Sequence, residues 1–139
     1  MKIFIDSSTF LWAYNRPESN SAVIVRLLAD GKLNAIISEN VVEEIASHFL
    51  AIHGHRTWSE VEAIVKTRCL IIPRNEIELE MKKWRGKIKE KDLEHLATAK
   101  HSKVEYIVAL DRDYEPFSEY MTPKQFVKKL GIKTSETEY

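Results

Sequence analysis

The sequence predicts a single α/β domain in which helices cover both faces of a central parallel sheet of four to five strands. Short apolar runs alternate along the chain with longer stretches that repeat apolar residues at helical spacing. That alternation is typical of parallel strands connected by helices. At 139 residues, the chain has the length of one ordinary domain. We therefore expect one three-layer α/β/α domain over residues 1–131 and a flexible C-terminal tail over residues 132–139.

Four strands are predicted from short runs of Ile, Val, Leu and aromatic residues. Such runs favour strands because branched and aromatic side chains pack well on a pleated surface. The strands are expected over residues 2–6, 33–37, 69–72 and 105–110. Because strands and helices alternate, we expect these strands to lie parallel in one sheet.

Two helices are predicted in the first half of the chain. The first covers residues 17–29, and Gly31 lies just past its end. Ser19 or Asn20 can cap its start. The second covers residues 39–52, because apolar residues recur there at helical spacing: Val41, Val42, Ile45, Phe49 and Ile52.

Further helices are predicted from similar signals. Thr57 and Glu60 match a capping box at the start of a third helix. An apolar stripe predicts a fourth helix that breaks near Gly86: Ile77, Met81, Trp84 and Ile88. A fifth helix is expected over residues 92–99. The closing helix is predicted from a cap residue, a first-turn proline and a final glycine: Thr122, Pro123 and Gly131.

Composition excludes several classes of protein. No apolar run approaches the roughly 18 residues that a membrane-spanning helix needs, and no signal peptide is recognisable. We therefore expect a cytoplasmic protein without membrane contact. Cys69 is the only cysteine, which excludes a disulfide framework and a thiolate zinc cluster. Lys and Arg total 21, as do Asp and Glu, so net charge gives no general attraction to nucleic acid.

Four acidic residues are candidates for one site. Asp6 and Asp111 follow the first and fourth predicted strands, and ligands bind at this edge of a parallel sheet. Either residue alone is more often a cap or turn residue. Glu44 lies at the margin of the buried face of its helix, whereas Glu43 points away. Asp92 begins the helix before the fourth strand, where capping the helix and serving the site are equally good interpretations.

Convergence of these acids would require a cation. Mutual repulsion would raise some of their pKa values and destabilise the site unless a divalent ion compensates. A site of carboxylate oxygens, without cysteine or clustered histidine, suits Mg²⁺ or Mn²⁺ rather than Zn²⁺. One or two such ions can orient a water and neutralise a phosphodiester as it is attacked. The acids therefore point to phosphoryl-transfer chemistry.

Five segments, in this order along nearly the whole chain, carry a family resemblance: IFIDSSTF at 3–10, ISENVVEEI at 37–45, DLEHLATA at 92–99, YIVALDRD at 106–113 and MTPKQF at 121–126. Together they resemble the PIN-domain family, and in particular the VapC-like endoribonucleases. The resemblance implies a metal-dependent endoribonuclease that cleaves single-stranded RNA, either as the toxin of a toxin–antitoxin pair or in RNA processing. It also implies that four carboxylates are catalytic and hold Mg²⁺ or Mn²⁺: Asp6, Glu44, Asp92 and Asp111.

Two positions depart from the pattern of this family, and a third is ambiguous. Ser8 stands where Asn is common, and its hydroxyl could bind a metal-ligated water or Asp111. Ala109 replaces a residue that usually carries a hydroxyl, which removes a supporting contact. Asp113 either supports the metal from outside or solvates the turn, and we favour support.

A cationic strip precedes the third acid. Residues 82–91 read KKWRGKIKEK, with six basic residues and one acid. We expect Lys87, Lys89 and Lys91 to hold the phosphate backbone of RNA. A solvated helix end is an equally good interpretation of this strip.

Two further side chains could serve either the site or the core. Trp84 shares helical spacing with Met81 and Ile88, which favours packing over base stacking. His95 lies one turn beyond Asp92 and could face the site, although packing is favoured here as well.

Three other functions are alternatives to a nuclease. A non-catalytic RNA-binding or assembly module would keep the fold without needing four acids. A phosphatase of the haloacid dehalogenase type would need a second Asp where Ser8 stands, and a phospho-receiver domain would need adjacent acids near the first strand.

The resemblance to the PIN-domain family further implies a homodimer and an antitoxin protein as a possible partner.

Overall fold

The computed structural model describes residues 1–136, which form one five-stranded sheet flanked by helices. The strands are β1 (Ile3–Ile5), β2 (Ala35–Ser38), β3 (Cys69–Ile72), β4 (Tyr106–Val108) and β5 (Tyr120–Met121). The helices are α1 (Ser7–Asn15), α2 (Asn20–Ala29), α3 (Glu39–Ile52), α4 (His55–Arg68), α5 (Glu78–Trp84), α6 (Glu90–His101) and α7 (Pro123–Lys129). Short 3₁₀ turns cover Arg74–Glu76 and Arg112–Tyr114.

The strand order, β3-β2-β1-β4-β5, places the first strand in the centre of the sheet. All neighbouring strands pair in parallel, and Phe4 of β1 lies between Ile36 of β2 and Ile107 of β4. The residues of β1 are fully buried, because helices cover the sheet on both faces. The predicted three-layer α/β/α fold is confirmed. The carboxyl ends of β2, β1 and β4 therefore meet at one edge, where the site lies.

Helix α1 was not predicted. It begins directly after β1, without a loop, and its buried face starts with the polar residues Ser7 and Thr9 before reaching Phe10 and Ala13. A first turn of hydroxyl residues gives no apolar periodicity, so the sequence pattern alone does not indicate a helix. The helix places Ser7 and Ser8 beside the end of β1.

Two predictions about the second and third helices were wrong. Helix α4 begins at His55 after Gly54, whose φ of 86° is a conformation that glycine adopts readily. Thr57 therefore lies inside the helix, and the predicted capping box with Glu60 does not form. Ile52, assigned to the buried face of α3, is 64% exposed because the helix ends there.

The start of α6 also differs from the prediction, and this difference matters for the site. The helix begins at Glu90, so Asp92 lies within its first turn rather than at its cap. Lys89 occupies the cap position, and no side chain caps this end. The Asp92 carboxylate is therefore not used as a cap. The preceding helix, α5, ends at Trp84, which leaves Ile88 outside it.

Two of the predicted helix caps are confirmed. Ser19 caps α2 by accepting a hydrogen bond from the backbone of Ala22 at 3.1 Å. Thr122 and Gln125 form the capping box of α7.

In the predicted tail, Ser135 exchanges two hydrogen bonds with the buried side chain of Asn20, at 3.0 and 2.7 Å. The last part of that tail, residues 137–139, lies outside the described residues.

No helix within residues 1–136 combines the length and apolar character needed to cross a bilayer.

Candidate active site

Asp6 and Asp111 lie side by side because β1 and β4 are neighbours in the sheet. Asp6 follows β1 at the cap position of α1, but its side chain makes no capping bond. Its backbone amide donates to Val108 of β4 at 3.0 Å, which joins the two strand ends. Asp111 uses Oδ1 to accept the Asp113 amide at 2.9 Å, and this leaves Oδ2 facing the site.

Ser8 and Tyr114 hold the buried Asp6 carboxylate from two sides. The Ser8 hydroxyl donates to Asp6 Oδ2 at 2.8 Å and accepts the Leu110 amide at 3.3 Å. The Tyr114 hydroxyl donates to Asp6 Oδ1 at 3.4 Å. Of the two partners expected for Ser8, Asp111 is replaced by Asp6, since the hydroxyl lies between Asp6 and the end of β4, and a metal-ligated water stays a prediction.

Glu44 projects from α3 toward the same edge of the sheet. Its Oε1 accepts hydrogen bonds from the Ser7 hydroxyl at 3.3 Å and from His95 Nε2 at 2.7 Å. Its neighbour Glu43 faces outward and pairs with Arg74. Helical geometry thus separates one carboxylate for the site from one for the surface.

His95 is a part of the site that sequence reasoning assigned to packing. It is only 1% exposed, yet both ring nitrogens have polar partners. Nδ1 lies 2.8 Å from the Ser38 hydroxyl, and Nε2 lies 2.7 Å from Glu44 and 3.7 Å from Asp6 Oδ1. Because an ionised carboxylate can only accept hydrogen bonds, the Nε2–H group of His95 donates the hydrogen bond to Glu44. The available signal was its position one helical turn beyond Asp92.

A second group of acids lies next to Asp6. Carboxylate oxygens of Asp92, Asp111 and Asp113 all lie within 4.8 Å of one another. Lys91 Nζ contacts the first two at 3.1 Å each and the third at 3.7 Å. Lys89 Nζ lies 3.4 Å from Asp113. Asp113, expected as a support, is thus close enough to share a cation with Asp92 and Asp111.

The cationic strip therefore serves two different environments. Lys89 and Lys91 pair with the acids of the site. Lys87 Nζ lies 5.1 Å from the centre of the Trp84 ring, and that ring packs edge-on against Phe117. This placement agrees with the packing role that was favoured for Trp84.

The charges of the four predicted acids act on one buried group. Burial raises the pKa of Tyr114, and the charges of four carboxylates raise it further: Asp6, Asp92, Asp111 and Glu44. Contacts link the same four acids: His95 Nε2 lies 2.7 Å from Glu44 and 3.7 Å from Asp6, and Lys91 Nζ lies 3.1 Å from both Asp92 and Asp111. Asp6 and Asp111 follow the neighbouring strands β1 and β4. The structure therefore brings the four predicted acids together.

Individual pKa shifts reflect the different surroundings of these acids. Burial raises the pKa of Asp6, against the opposing effects of His95 and Ser8. Burial also raises the pKa of Asp92, to about 6, although Lys91 opposes it. For Glu44, burial acts to raise the pKa, but the hydrogen bond and charge of His95 lower it below its ordinary value.

The family of the chain follows from its sequence. Residues 3–120 match the family model of the PIN domain. The chain belongs to the PIN domain family. No match was found among curated proteins.

Solved structures share the fold of this PIN domain at low sequence identity. VapBC2 from Rickettsia felis, bound to a promoter DNA fragment, is 15% identical with a TM-score of 0.68, covering 88% of this chain and 97% of that one. A toxin–antitoxin complex from Klebsiella pneumoniae is 17% identical with a TM-score of 0.69, covering 88% and 98%. VapC20 from Mycobacterium tuberculosis, a toxin that cleaves the sarcin–ricin loop, is 18% identical with a TM-score of 0.63, covering 84% and 95%.

The donor set of this PIN domain fits a hard divalent cation. The side chains that converge are carboxylates, which are the ligands that Mg²⁺ and Mn²⁺ prefer. His95 does not change this conclusion, because its two nitrogens are already bound to Ser38 and Glu44. The Lys91 ammonium between Asp92 and Asp111 shows that the position attracts positive charge.

Proposed function

We propose that this PIN domain is an endoribonuclease that depends on Mg²⁺ or Mn²⁺ and cleaves the phosphodiester bonds of single-stranded RNA. The observation that carries the proposal is the convergence of four carboxylates at the carboxyl edge of the sheet, where His95 contacts Glu44 and Asp6 and Lys91 contacts Asp92 and Asp111. Asp6, Asp92 and Asp111 come from strand ends and a helix start, and α3 supplies the fourth acid. Phosphodiester hydrolysis is the chemistry that such an oxygen cluster supports.

One or two ions would be held by Asp6, Glu44, Asp92 and Asp111. When bound, such an ion supplies positive charge for the phosphate and lowers the pKa of a water so that it can attack.

The residues of the chain prepare the site for that chemistry. Ser8 fixes the orientation of Asp6, and His95 fixes that of Glu44. The lowered pKa of Glu44 keeps its carboxylate ionised near neutral pH. Tyr114, which is fully buried, closes the inner side of the site to water. Asp113 lies beside Asp111 and supports the outer side.

A toxin role with an antitoxin partner is the biological setting that we favour. Structures with this fold include VapBC2 and a toxin–antitoxin complex, each of which covers most of this chain. An antitoxin protein and a homodimer are therefore the partners we propose, with RNA processing as the other role for the same reaction. A small neighbouring gene that encodes a DNA-binding antitoxin would favour the toxin role.

A cleavage assay tests the proposed reaction. The purified protein is incubated with labelled single-stranded RNA or DNA in Mn²⁺, Mg²⁺ or EDTA. We expect RNA cleavage that requires the metal and is lost in the folded double variant Asp6→Asn, Asp111→Asn. Glu43→Gln is the matched control and should cleave normally, because this carboxylate faces outward and pairs with Arg74.

The alternative is a non-catalytic RNA-binding module, and one observation favours it. Lys89 and Lys91 pair with the acids, so the cluster is already neutralised in part by the chain itself. If the wild type binds RNA, does not cleave it and is unaffected by metal, this alternative replaces the nuclease. The missing hydroxyl at Ala109 would then be the first position to restore.

A further inference from the structure

Lys91 occupies the position in the site where a cation is expected. Its Nζ lies 3.1 Å from Asp92 Oδ2, 3.1 Å from Asp111 Oδ2 and 3.7 Å from Asp113 Oδ2. The acids are half-buried or buried, and Asp92 is the most enclosed of the three. The Lys91 ammonium therefore neutralises part of the charge of these three carboxylates.

The same contacts cannot coexist with a bound divalent ion. Mg²⁺ binds carboxylate oxygens at about 2.1 Å, so an ion shared by Asp92 and Asp111 would lie in the region that the ammonium approaches. Two positive centres at that separation repel strongly. The ammonium must therefore move when the ion enters.

Lys91 is able to move. Its side chain is 62% exposed, and it consists of a flexible stem with a compact charge at its end. Ion pairs with such exposed side chains are weak, so breaking this one opposes metal binding only modestly. Asp92, in contrast, stays buried and needs a positive partner in either state.

We propose that Lys91 is a tethered counter-ion that holds the carboxylate group together without metal and competes with the divalent ion for it. This inference rests on the proposed function, because it takes the same carboxylates as the metal site. The displaced ammonium stays at the rim of the site, where it becomes available to a phosphate only after the ion has bound. Lys91 thus couples the two binding steps.

Metal affinity gives the first test. Mn²⁺ binding is measured by titration calorimetry for the wild type, Lys91→Met and Asp111→Asn. We expect Lys91→Met to bind Mn²⁺ about three- to tenfold more tightly than the wild type, since the competing charge is gone. Asp111→Asn should bind much more weakly.

The matched control is Lys66→Met. Lys66 is an equally exposed lysine, at 65%, which pairs with Glu62 on α4. The substitution changes net charge by the same amount, so it removes any general effect of charge. We expect its Mn²⁺ affinity to equal that of the wild type.

Thermal stability gives a second test that separates competition from a purely structural role. In EDTA, Lys91→Met should melt at a lower temperature than the wild type, because its carboxylates lose their counter-ion. In saturating Mn²⁺ the deficit should vanish or reverse, because tighter binding adds stability. A structural role alone would leave the same deficit in both conditions and would overturn the inference.

The outcomes distinguish the inference from the proposed function. If the wild type binds Mn²⁺, Asp111→Asn does not, and Lys91→Met binds no more tightly than the wild type, the inference fails and the metal site stands. If neither the wild type nor Lys91→Met binds Mn²⁺, the proposed function fails, and the inference fails with it.

Discussion

The carboxylate site has two halves, an inner one with Glu44 and Asp6 and an outer one with Asp92 and Asp111. A histidine contacts the acids of the inner half, and a lysine contacts those of the outer half. In the inner half, the buried ring of His95 lies between Glu44 and Asp6, and the Ser38 hydroxyl fixes the ring from behind. In the outer half, the exposed side chain of Lys91 lies between Asp92 and Asp111. His95 and Asp6 of the first arrangement are buried in the core, although Glu44 is 44% exposed, whereas Lys91 of the second lies at the surface.

This difference indicates that one half of the site is fixed by the fold while the other half is open to exchange with solvent cations. The Ser38 hydroxyl also caps α3 by accepting the Val41 amide, so the position of His95 is tied to the start of the helix that carries Glu44. The inner half therefore cannot rearrange without disturbing the fold. The outer half can exchange its ammonium for another cation at little cost, because its side chain is exposed. We infer that the inner half is preorganised and that the outer half responds to ligands.

Breaking the inner half should have the largest effect. His95→Ala removes the donor to Glu44, and we expect cleavage to fall by about 10–100-fold, as is typical when a residue that orients a metal ligand is lost. His95→Gln should recover part of this loss, because its amide can donate to the same carboxylate. The readouts are kcat and Mn²⁺ affinity measured together.

His101→Ala is the control for that experiment, since His101 lies on the same helix but faces Glu76 near the surface. Equal loss in both alanine variants would contradict a specific role for His95. Unchanged cleavage in a folded His95→Ala protein would contradict the preorganisation of the inner half.

The sequence predicted the inner carboxylates better than it predicted their partners. Asp6 follows a strand, and Glu44 lies at the edge of an apolar helix face, so local pattern was enough to select them. Asp111 of the outer half also follows a strand and was selected in the same way. The role of His95 depends on how α6 packs against β2, which no local pattern contains. The approach of Lys91 depends on the path of residues 85–89, between α5 and α6.

Errors at helix starts had the same origin. Helix α1 was missed because its first turn is polar. Asp92 was expected at a helix cap, but α6 begins at Glu90, so Asp92 lies inside the first turn and at the site. Capping signals are short and common, and tertiary packing decides which of them is used. The four predicted strands and the helices between them lie in the predicted order, because that order rests on the apolar pattern of the whole chain, but α1 and β5 were missed.

The lysines of the cationic strip should have an intermediate effect. The triple variant Lys87→Ala, Lys89→Ala, Lys91→Ala should bind single-stranded RNA more weakly. Each lost phosphate contact should reduce the slope of log affinity against log salt by about 0.7. Fluorescence anisotropy at several salt concentrations measures both quantities. Unchanged affinity and slope would show that the strip does not hold RNA.

The smallest expected effect is a pH dependence of stability in the outer half. Burial raises the pKa of Asp92 from 3.8 to about 6, so the folded state keeps a proton that the unfolded state releases. The stability from this proton is present below about pH 4 and is lost as the pH rises through about 6.

Asp92→Asn isolates this contribution because the amide does not titrate. In EDTA, the Tm difference between Asp92→Asn and the wild type should become more positive by roughly 2–4 °C between about pH 4 and about pH 7. The two proteins are melted in parallel across that range. A constant difference would mean that Asp92 does not titrate in the folded state as its burial implies.

The central claim is that the inner and outer halves form one metal site. It is tested most directly by soaking crystals of the wild type in Mn²⁺ and computing an anomalous difference map. We predict a peak between Asp6, Asp92 and Asp111, at about 2.1 Å from their carboxylate oxygens, with Lys91 displaced from its present contacts. A map with no peak there at saturating Mn²⁺, or with its main peak elsewhere, would contradict the account.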